Sequence, residues 1–294
     1  MDHLEDLGWG SLLLGVACHV LRLLCVSRAW RNIIKGAYPK ERVPYRSIVA
    51  AIFAGAGVNA VIPARGGDAV RIFLAKRGVE RSSYTTITAT LVLLTAFDFV
   101  IATSLLLWAA AKGILPGTGA LGPSFDFGWA FHNPGTFLKA IGIVLLVLLV
   151  IVLWFAEQIA DFRHRIAQGF SILRDKGAYL RRVALWQGVD WCLRLVAILF
   201  FLKAFGLPAT VHNALLVQVS AGLASLLPIS PSGIGTEQAF LVYLFRGQVG
   251  GASLVGFSVG MRITLIVVNV ALGFAALLLT LRTVRWREAT ARPT

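Results

Sequence analysis

The sequence is poor in charged residues, and poorest in acidic ones. Only 14% of the 294 residues are charged, and 14 aspartates and glutamates stand against 28 lysines and arginines, a formal net charge of +14. Hydrophobic residues make up 57% of the chain, and the mean hydropathy is +0.76. This composition excludes an ordinary soluble domain and is typical of a polytopic membrane protein.

Several functional classes lack the residues that they need. Cys18, Cys25 and Cys192 lie within apolar runs and have no metal-binding or redox spacing, so neither a metal nor another cofactor is expected. No glycine-rich phosphate loop of the Walker type occurs, which argues against ATP hydrolysis. The bases lie in short segments between apolar runs, so we expect anionic lipid, not nucleic acid, as their partner.

Apolar runs predict five helices that cross the membrane. A run of about 20 residues is long enough to span ~30 Å of hydrocarbon. The predicted crossings are residues 8–27, 84–111, 138–157, 183–204 and 253–281. Basic clusters at 28–42, 71–81, 163–182 and 282–292 place these segments in the cytoplasm under the positive-inside rule. The C-terminus is therefore expected in the cytoplasm, and the chain in the inner (plasma) membrane.

Two further apolar runs are interrupted by proline and glycine. Residues 45–78 have basic clusters on both sides, which predicts a re-entrant hairpin from the cytoplasm; the alternative is an ordinary loop after a crossing helix. Residues 211–246 have no basic flank and predict a second hairpin, which enters from outside. Broken backbone at membrane depth is tolerated only inside protein or beside a watery cavity.

Together these elements predict an all-α membrane protein with an internal inverted repeat. The chain is a single membrane domain, 1–294, in which residues 8–111 form the first repeat and 183–281 the second. The helix at 138–157 links them. In transporters of this design the substrate site lies where the two broken elements meet.

The first break supplies candidate ligand-binding residues. Arg65 and Arg71 offer guanidinium forks suited to a phosphate, and Asp68 can orient one of them. Asn59 supplies an amide at depth. The candidate site here comprises Asn59, Pro63, Arg65, Gly67, Asp68 and Arg71.

Asp98 lies near the middle of its crossing helix, where an ionised side chain costs at least ~2.5 kcal/mol on insertion scales. We expect it to face the interior beside Arg65, or to be neutral and hydrogen-bonded. Arg262 is also near the midplane and needs Glu237 or Asp98 as a partner. The second break adds Pro228, Pro231, Gly233, Gly235 and Glu237 to the candidate site.

Four other polar residues within crossing helices are not assigned to the candidate site. Asp190 and Arg194, spaced i,i+4, are predicted to form an internal ion pair. Arg22 is expected to extend to the interface, and no function is assigned to it or to His19.

The motifs NAVIPARGGDAVR at Asn59–Arg71 and LPISPSGIGTE at Leu227–Glu237 resemble those of the lysylphosphatidylglycerol synthase transmembrane region family, also called flippase-like membrane proteins. The resemblance covers residues 10–285 and includes no soluble aminoacyl-transferring domain. Glu237 follows Gly235 by two positions, where the family commonly has three. Membership implies the translocation or binding of charged or glycosylated lipids.

We therefore predict a non-enzymatic, flippase-like transporter that moves or binds phosphate-bearing lipids: phospholipid, aminoacylated phospholipid or polyprenyl-phosphate-linked lipid. Movement would be downhill or coupled to an ion through Asp98 or Glu237. The alternative is an accessory or catalytic membrane subunit, with an envelope enzyme as its partner, in the assembly of envelope glycolipids or polyprenyl-phosphate sugars.

Overall fold

The computed structural model describes residues 8–62, 66–114, 160–226, 235–246 and 248–290, and all regular structure in that part of the chain is helical. Side chains are described for all of these residues except 160–163, 225–226 and 281–290. The helices are α1 (Trp9–Ala37), α2 (Tyr45–Val61), α3 (Gly66–Gly78), α4 (Tyr84–Ala111), α5 (Ala160–Gly169), α6 (Lys176–Tyr179), α7 (Leu185–Ala204), α8 (Val211–Leu226), α9 (Thr236–Leu244) and α10 (Gly251–Thr290). A 3-10 turn spans Ser171–Arg174, and a π-helical turn, Leu180–Ala184, joins α6 to α7.

Four of the described segments are long and apolar enough to cross a membrane: Trp9–Ala37, Tyr84–Ala111, Lys176–Ala204 and Gly251–Thr280. Each has 28–30 residues, or roughly 42–45 Å of helix, which exceeds the ~30 Å of a bilayer core. They confirm the prediction of an all-α, polytopic membrane protein. The fifth predicted crossing, 138–157, lies outside the described residues.

The first helix is longer than the sequence indicated. We expected it to end at Ser27 and a basic loop to follow, but α1 continues to Ala37. Trp30, Ile33 and Ile34 are completely buried, so packing keeps this segment helical beyond the point where its bases begin. Arg31 bends back and donates from Nε to the carbonyl of Val43 at 2.9 Å.

One end of the helix bundle, here called the A end, gathers residues 37–45, 78–84 and 168–182. The Tyr38 hydroxyl accepts from the backbone N–H of Ser83 at 2.9 Å, and Gln168 donates to the carbonyl of Ala37 at 2.9 Å. Ser83 also caps α4 by accepting from the Thr86 amide at 3.1 Å.

The opposite end, the B end, gathers residue 8 and residues 108–114, 204–212, 245–246 and 248–251. The Gly8 amide donates to the carbonyl of Ala204 at 3.0 Å. Trp108 meets His212 edge-on with a ring-centroid separation of 6.0 Å, and Phe205 meets Phe257 in the same way at 5.7 Å. The crossing helices α1, α4, α7 and α10 connect these two ends.

Helices α2 and α3 form an antiparallel hairpin that opens at the A end. A side chain at Gly78 would meet Ser47 near the open end, and one at Gly67 would meet Asn59 near the tip. Helices α8 and α9 start and finish at the B end, beside Phe205 and Gly251. The described parts of the two hairpins therefore open toward opposite ends of the bundle.

Two apolar cores lie along the bundle axis. The A-end core packs α1, α2, α3 and α4 around fully buried residues that include Trp30, Ile48 and Ile87. The B-end core packs α7, α8, α9 and α10 around buried residues that include Phe201, Leu216, Leu241, Phe245 and Phe257. The crossing helices pass through both cores, so the residues between the cores form a separate middle layer.

Candidate functional site

The first hairpin closes through small residues. Gly67 packs against the carbonyl of Gly55 and the side-chain amide of Asn59, leaving no room for a Cβ atom. Asn59 accepts a hydrogen bond from the Gly67 amide at 2.7 Å, which satisfies one of the open N–H groups in the first turn of α3. The structure thus gives Asn59 and Gly67 a role in closing the hairpin.

Arg71 lies across the hairpin, over Gly55. A Cβ atom on Gly55 would collide with the side chain of Arg71, so the missing side chain of this glycine makes room for the arginine. Asp68, one turn earlier on α3, pairs with Arg71 at 3.0 Å. The sequence interpretation of Asp68 as the residue that orients an arginine therefore fits the geometry.

The middle layer contains four charged side chains on three crossing helices. Arg22 of α1 contacts Asp190 of α7 at 3.4 Å, and Asp190 contacts Arg194 at 3.3 Å. Arg194 lies 3.7 Å from Asp98 of α4. We call Arg22, Asp190, Arg194 and Asp98 the charge chain. Its two guanidinium and two carboxylate groups balance.

The charge chain lies at the middle of its helices. The spans Trp9–Ala37, Tyr84–Ala111 and Lys176–Ala204 have their midpoints at residue 23, between residues 97 and 98, and at residue 190. Arg22, Asp98 and Asp190 are each within one residue of these positions. They are about 20 Å from either helix end at 1.5 Å per residue.

The charge chain corrects one sequence interpretation and leaves another untested. Arg22 does not extend to the interface; it turns inward to Asp190. Asp98 was expected beside Arg65, which lies outside the described residues, so that contact stays a prediction; among the described residues Asp98 contacts Arg194 and accepts from the indole N–H of Trp191 at 2.8 Å. The predicted pair of Asp190 and Arg194 is present, and it is the centre of the chain.

A second polar contact in the middle layer joins α1 to α10. His19 Nε2 lies 2.9 Å from the side-chain oxygen of Asn269, and His19 is one turn from Arg22 on the same helix. Nearby, α2 and α10 cross closely: a Cβ atom on Gly57 would lie 3.0 Å from the Cα atom of Gly273. This glycine pair lets α10 approach the first hairpin.

Arg262 and Glu237 form a separate pair on the B-end side of the middle layer, with 3.3 Å between guanidinium and carboxylate. Of the two predicted partners of Arg262, the structure selects Glu237. Glu237 opens α9, and Gly235 precedes that helix with φ of +86°, a value that favours glycine. Gln238 accepts from the Gly235 amide and donates to Ser258 of α10.

Five predicted site residues lie outside the described part of the chain: Pro63, Arg65, Pro228, Pro231 and Gly233. The structure brings Asn59, Gly67, Asp68 and Arg71 together, and it pairs Glu237 with Arg262. It also adds residues that sequence reasoning did not assign to the site: His19, Arg22, Asp190, Trp191, Arg194 and Asn269. The signal available for most of them was a polar side chain in the middle of an apolar run.

The chemistry of these residues suits ion pairing with a charged group. Guanidinium groups from α1, α3 and α7 face the middle layer, and Arg22 is within electrostatic reach of both Arg71 and Arg194. Within the described ranges, no three His, Cys, Asp or Glu side chains come together as a metal site requires. The guanidinium groups can donate hydrogen bonds to a phosphate, and the carboxylates can accept them from an amine.

Comparisons with known proteins place the chain in a family. The family model described as "Lysylphosphatidylglycerol synthase TM region" matches residues 2–273, nearly the full length of the sequence. Neither curated proteins nor solved structures gave a match. The matched residues include both hairpins and all four members of the charge chain. The protein belongs to the lysylphosphatidylglycerol synthase transmembrane region family.

Proposed function

We propose that this protein moves lipids between the leaflets of the membrane, with the polar headgroup passing through the middle layer while the acyl chains stay in the bilayer. The substrates are phosphate-bearing lipids, and the protein acts as a transporter and not as an enzyme. Family membership supports a role with membrane lipids. The choice of transport rests on the geometry of the middle layer.

The observation that carries this proposal is the charge chain at mid-helix depth. Burying ionised groups there costs several kcal/mol even when they are paired, and apolar residues would pack more cheaply. Arg22, Asp190 and Arg194 have side chains that are 16%, 1% and 23% exposed, while Asp98 is 39% exposed. The charge chain therefore reaches from the protein interior to an accessible surface, as a path for a headgroup requires.

The two hairpins support the same proposal. One opens at the A end and the other at the B end. Each contributes to an ion pair with an arginine: Arg71 pairs with Asp68 within the first hairpin, and Arg262 of α10 pairs with Glu237 of the second. We propose that they are the equivalent halves of an inverted repeat, whose rocking exposes the middle layer to each side in turn. The inner membrane, with the A end in the cytoplasm, is the proposed location.

The test is a leaflet assay with purified protein in vesicles that carry fluorescent phosphatidylglycerol. A membrane-impermeant reductant destroys the dye in the outer leaflet, so the slow phase reports how fast inner-leaflet lipid moves outward. Wild type should accelerate this phase, and Arg194→Gln should abolish most of the acceleration. Arg42→Gln, an exposed change at the A end, is the matched control and should behave as wild type.

If wild type moves neither phosphatidylglycerol, nor its aminoacyl derivative, nor a polyprenyl-phosphate lipid faster than empty vesicles, transport is excluded for these lipids. The alternative role, a membrane subunit that assists an envelope enzyme, would then replace it. In that case, mild cross-linking in membranes before purification should leave a partner enzyme attached to the protein.

A further inference from the structure

Asp98 differs from the other members of the charge chain. Asp190 is 1% exposed and contacts both Arg22 and Arg194, so its removal would leave two arginines without their shared carboxylate. Asp98 is 39% exposed, and its 3.7 Å separation from Arg194 is the longest in the chain. Asp98 is therefore the carboxylate that can leave with the least rearrangement.

Arg194 is held in place without Asp98. Its guanidinium lies over the ring of Trp191, with 4.3 Å from Cζ to the ring centroid, and it donates to Asp190 at 3.3 Å. Its Nε is buried and has no acceptor among the described residues. The indole N–H of Trp191 points to the same carboxylate of Asp98, at 2.8 Å. One charged and one neutral donor thus converge on a single oxyanion position.

We propose that this position is a binding site for the phosphate of a lipid headgroup, and that Asp98 occupies it as an internal substitute when no lipid is bound. A phosphate oxygen accepts the same donors as a carboxylate oxygen, and Arg194 has a further N–H to offer it. The incoming phosphate displaces Asp98 from Arg194 and Trp191. Asp98 then turns to its exposed side.

The inference rests on the proposed function for the identity of the ligand, but it makes a distinct claim. Asp98 competes with the lipid and does not bind it through phosphate contacts. Removing its charge should strengthen lipid binding and, because release then becomes slower, reduce the rate of transport. Substitution of a residue that merely supported the fold would weaken both lipid binding and transport.

The experiment measures binding and transport separately on the full chain. Binding is titrated in mild detergent with short-chain phosphatidylglycerol, with inorganic phosphate, and with a diacylglycerol of equal chain length as the phosphate-free probe. Asp98→Asn keeps the size of the side chain and an acceptor for Trp191. We expect it to bind phosphatidylglycerol roughly three- to tenfold more tightly than wild type, the effect of losing one partly exposed ion pair.

Three controls make the result specific. Glu80→Gln removes a carboxylate that is exposed at the A end and should leave binding unchanged. Asp98→Glu retains the competing charge and should bind much as wild type does. In an Arg194→Gln background the gain from Asp98→Asn should disappear, because the competition acts through Arg194. If the Asp98→Asn variant does not yield folded protein, the Asp98→Ser variant removes the same charge and takes its place in the experiment.

Tighter binding of phosphatidylglycerol, with diacylglycerol unchanged, supports the site even if wild type transports nothing, since binding is measured without transport. Equal or weaker binding by Asp98→Asn and Asp98→Ser, in folded protein, overturns it even if wild type is an active transporter. A gain for inorganic phosphate without a gain for phosphatidylglycerol overturns the assignment to lipid.

Discussion

At the scale of single residues, the absence of a side chain is as informative as its presence. Gly55 leaves space for Arg71, and Gly67 lets α3 approach α2 closely enough for the Asn59 cap to form. In the sequence, Asn59, Gly67 and Arg71 look like part of a ligand-binding motif. In the structure their first task is to let a short, broken hairpin pack at membrane depth.

Replacing Gly67 with alanine should destabilise the protein. The added Cβ would meet the side-chain amide of Asn59 and the carbonyl of Gly55, which belongs to the backbone and cannot rotate away, and such overpacking costs about 1–3 kcal/mol. Thermal unfolding in detergent, monitored by intrinsic tryptophan fluorescence, should show a lower midpoint.

Gly188→Ala is the control for this change, because a Cβ atom there would meet nothing within 4 Å and the residue lies inside α7. Its midpoint should be unchanged or slightly higher, given that alanine favours helix over glycine. Equal midpoints for Gly67→Ala and wild type would show that the hairpin is not packed as described.

The pair of Glu237 and Arg262 should show coupling in a double-mutant cycle. Each side chain is about one-fifth exposed, at 17% and 24%, so removal of one charge leaves the other poorly solvated. Glu237→Gln and Arg262→Gln should each lower stability, and the double variant should lose about 1 kcal/mol less than the sum. Strict additivity would mean that the pair contributes nothing.

At the scale of helices, the sequence predicted most elements correctly where local signals decide them. The hairpin predicted at 45–78 contains two described helices, α2 and α3, that pack against each other as a hairpin. The predicted end of α1 was wrong. The residues beyond Ser27 are helical because Trp30 and Ile33 pack in the core, and the basic residues around them concealed this signal in the sequence.

The site was harder to predict because its members are distant in sequence. Asp190 and Arg194 are four residues apart and were paired correctly, while Arg22 is 168 residues from Asp190 and was assigned to the interface. A single sequence carries no signal for such a contact. Arg65, to which the sequence gave the leading role, lies outside the described residues.

The hairpin geometry predicts which sites water-soluble reagents can reach. Lys40 and Glu80 are exposed at the A end, and Ala209 and Gln248 are exposed at the B end. With the three native cysteines replaced, single cysteines at 40 and 80 should label from one side of the membrane with an impermeant maleimide, and those at 209 and 248 from the other. If the cysteines at 40 and 80 labelled from opposite sides, residues 45–78 would cross the membrane completely.

At the scale of the whole molecule, positive charge is concentrated at one end. At the B end the described residues carry Lys112, Lys203 and Arg246. The A end carries many more bases: Arg31, Lys35, Lys40, Arg42, Arg46, Lys76, Arg77, Arg81, Arg174, Lys176, Arg181 and Arg182. Under the positive-inside rule, this asymmetry predicts that the A end lies in the cytoplasm.

Orientation can be measured with reporter fusions. A fluorescent protein that folds only in the cytoplasm should be bright when fused after Thr294, because α10 runs toward the A end. An alkaline phosphatase that is active only outside should be active when fused after Ala209 and inactive when fused after Glu80. The reverse pattern would show that the bases at the A end do not set the orientation.

The contact between Arg22 and Asp190 also constrains the order of assembly. Ribosomes add roughly 5–20 residues per second, so the 168 residues between these partners take on the order of ten seconds to synthesise. During that interval the first helix carries an arginine whose partner carboxylate has not yet been synthesised. Release of this helix into lipid would expose the charge at a cost of at least ~2.5 kcal/mol on insertion scales, which favours retention of the helix beside the insertion machinery until α7 emerges.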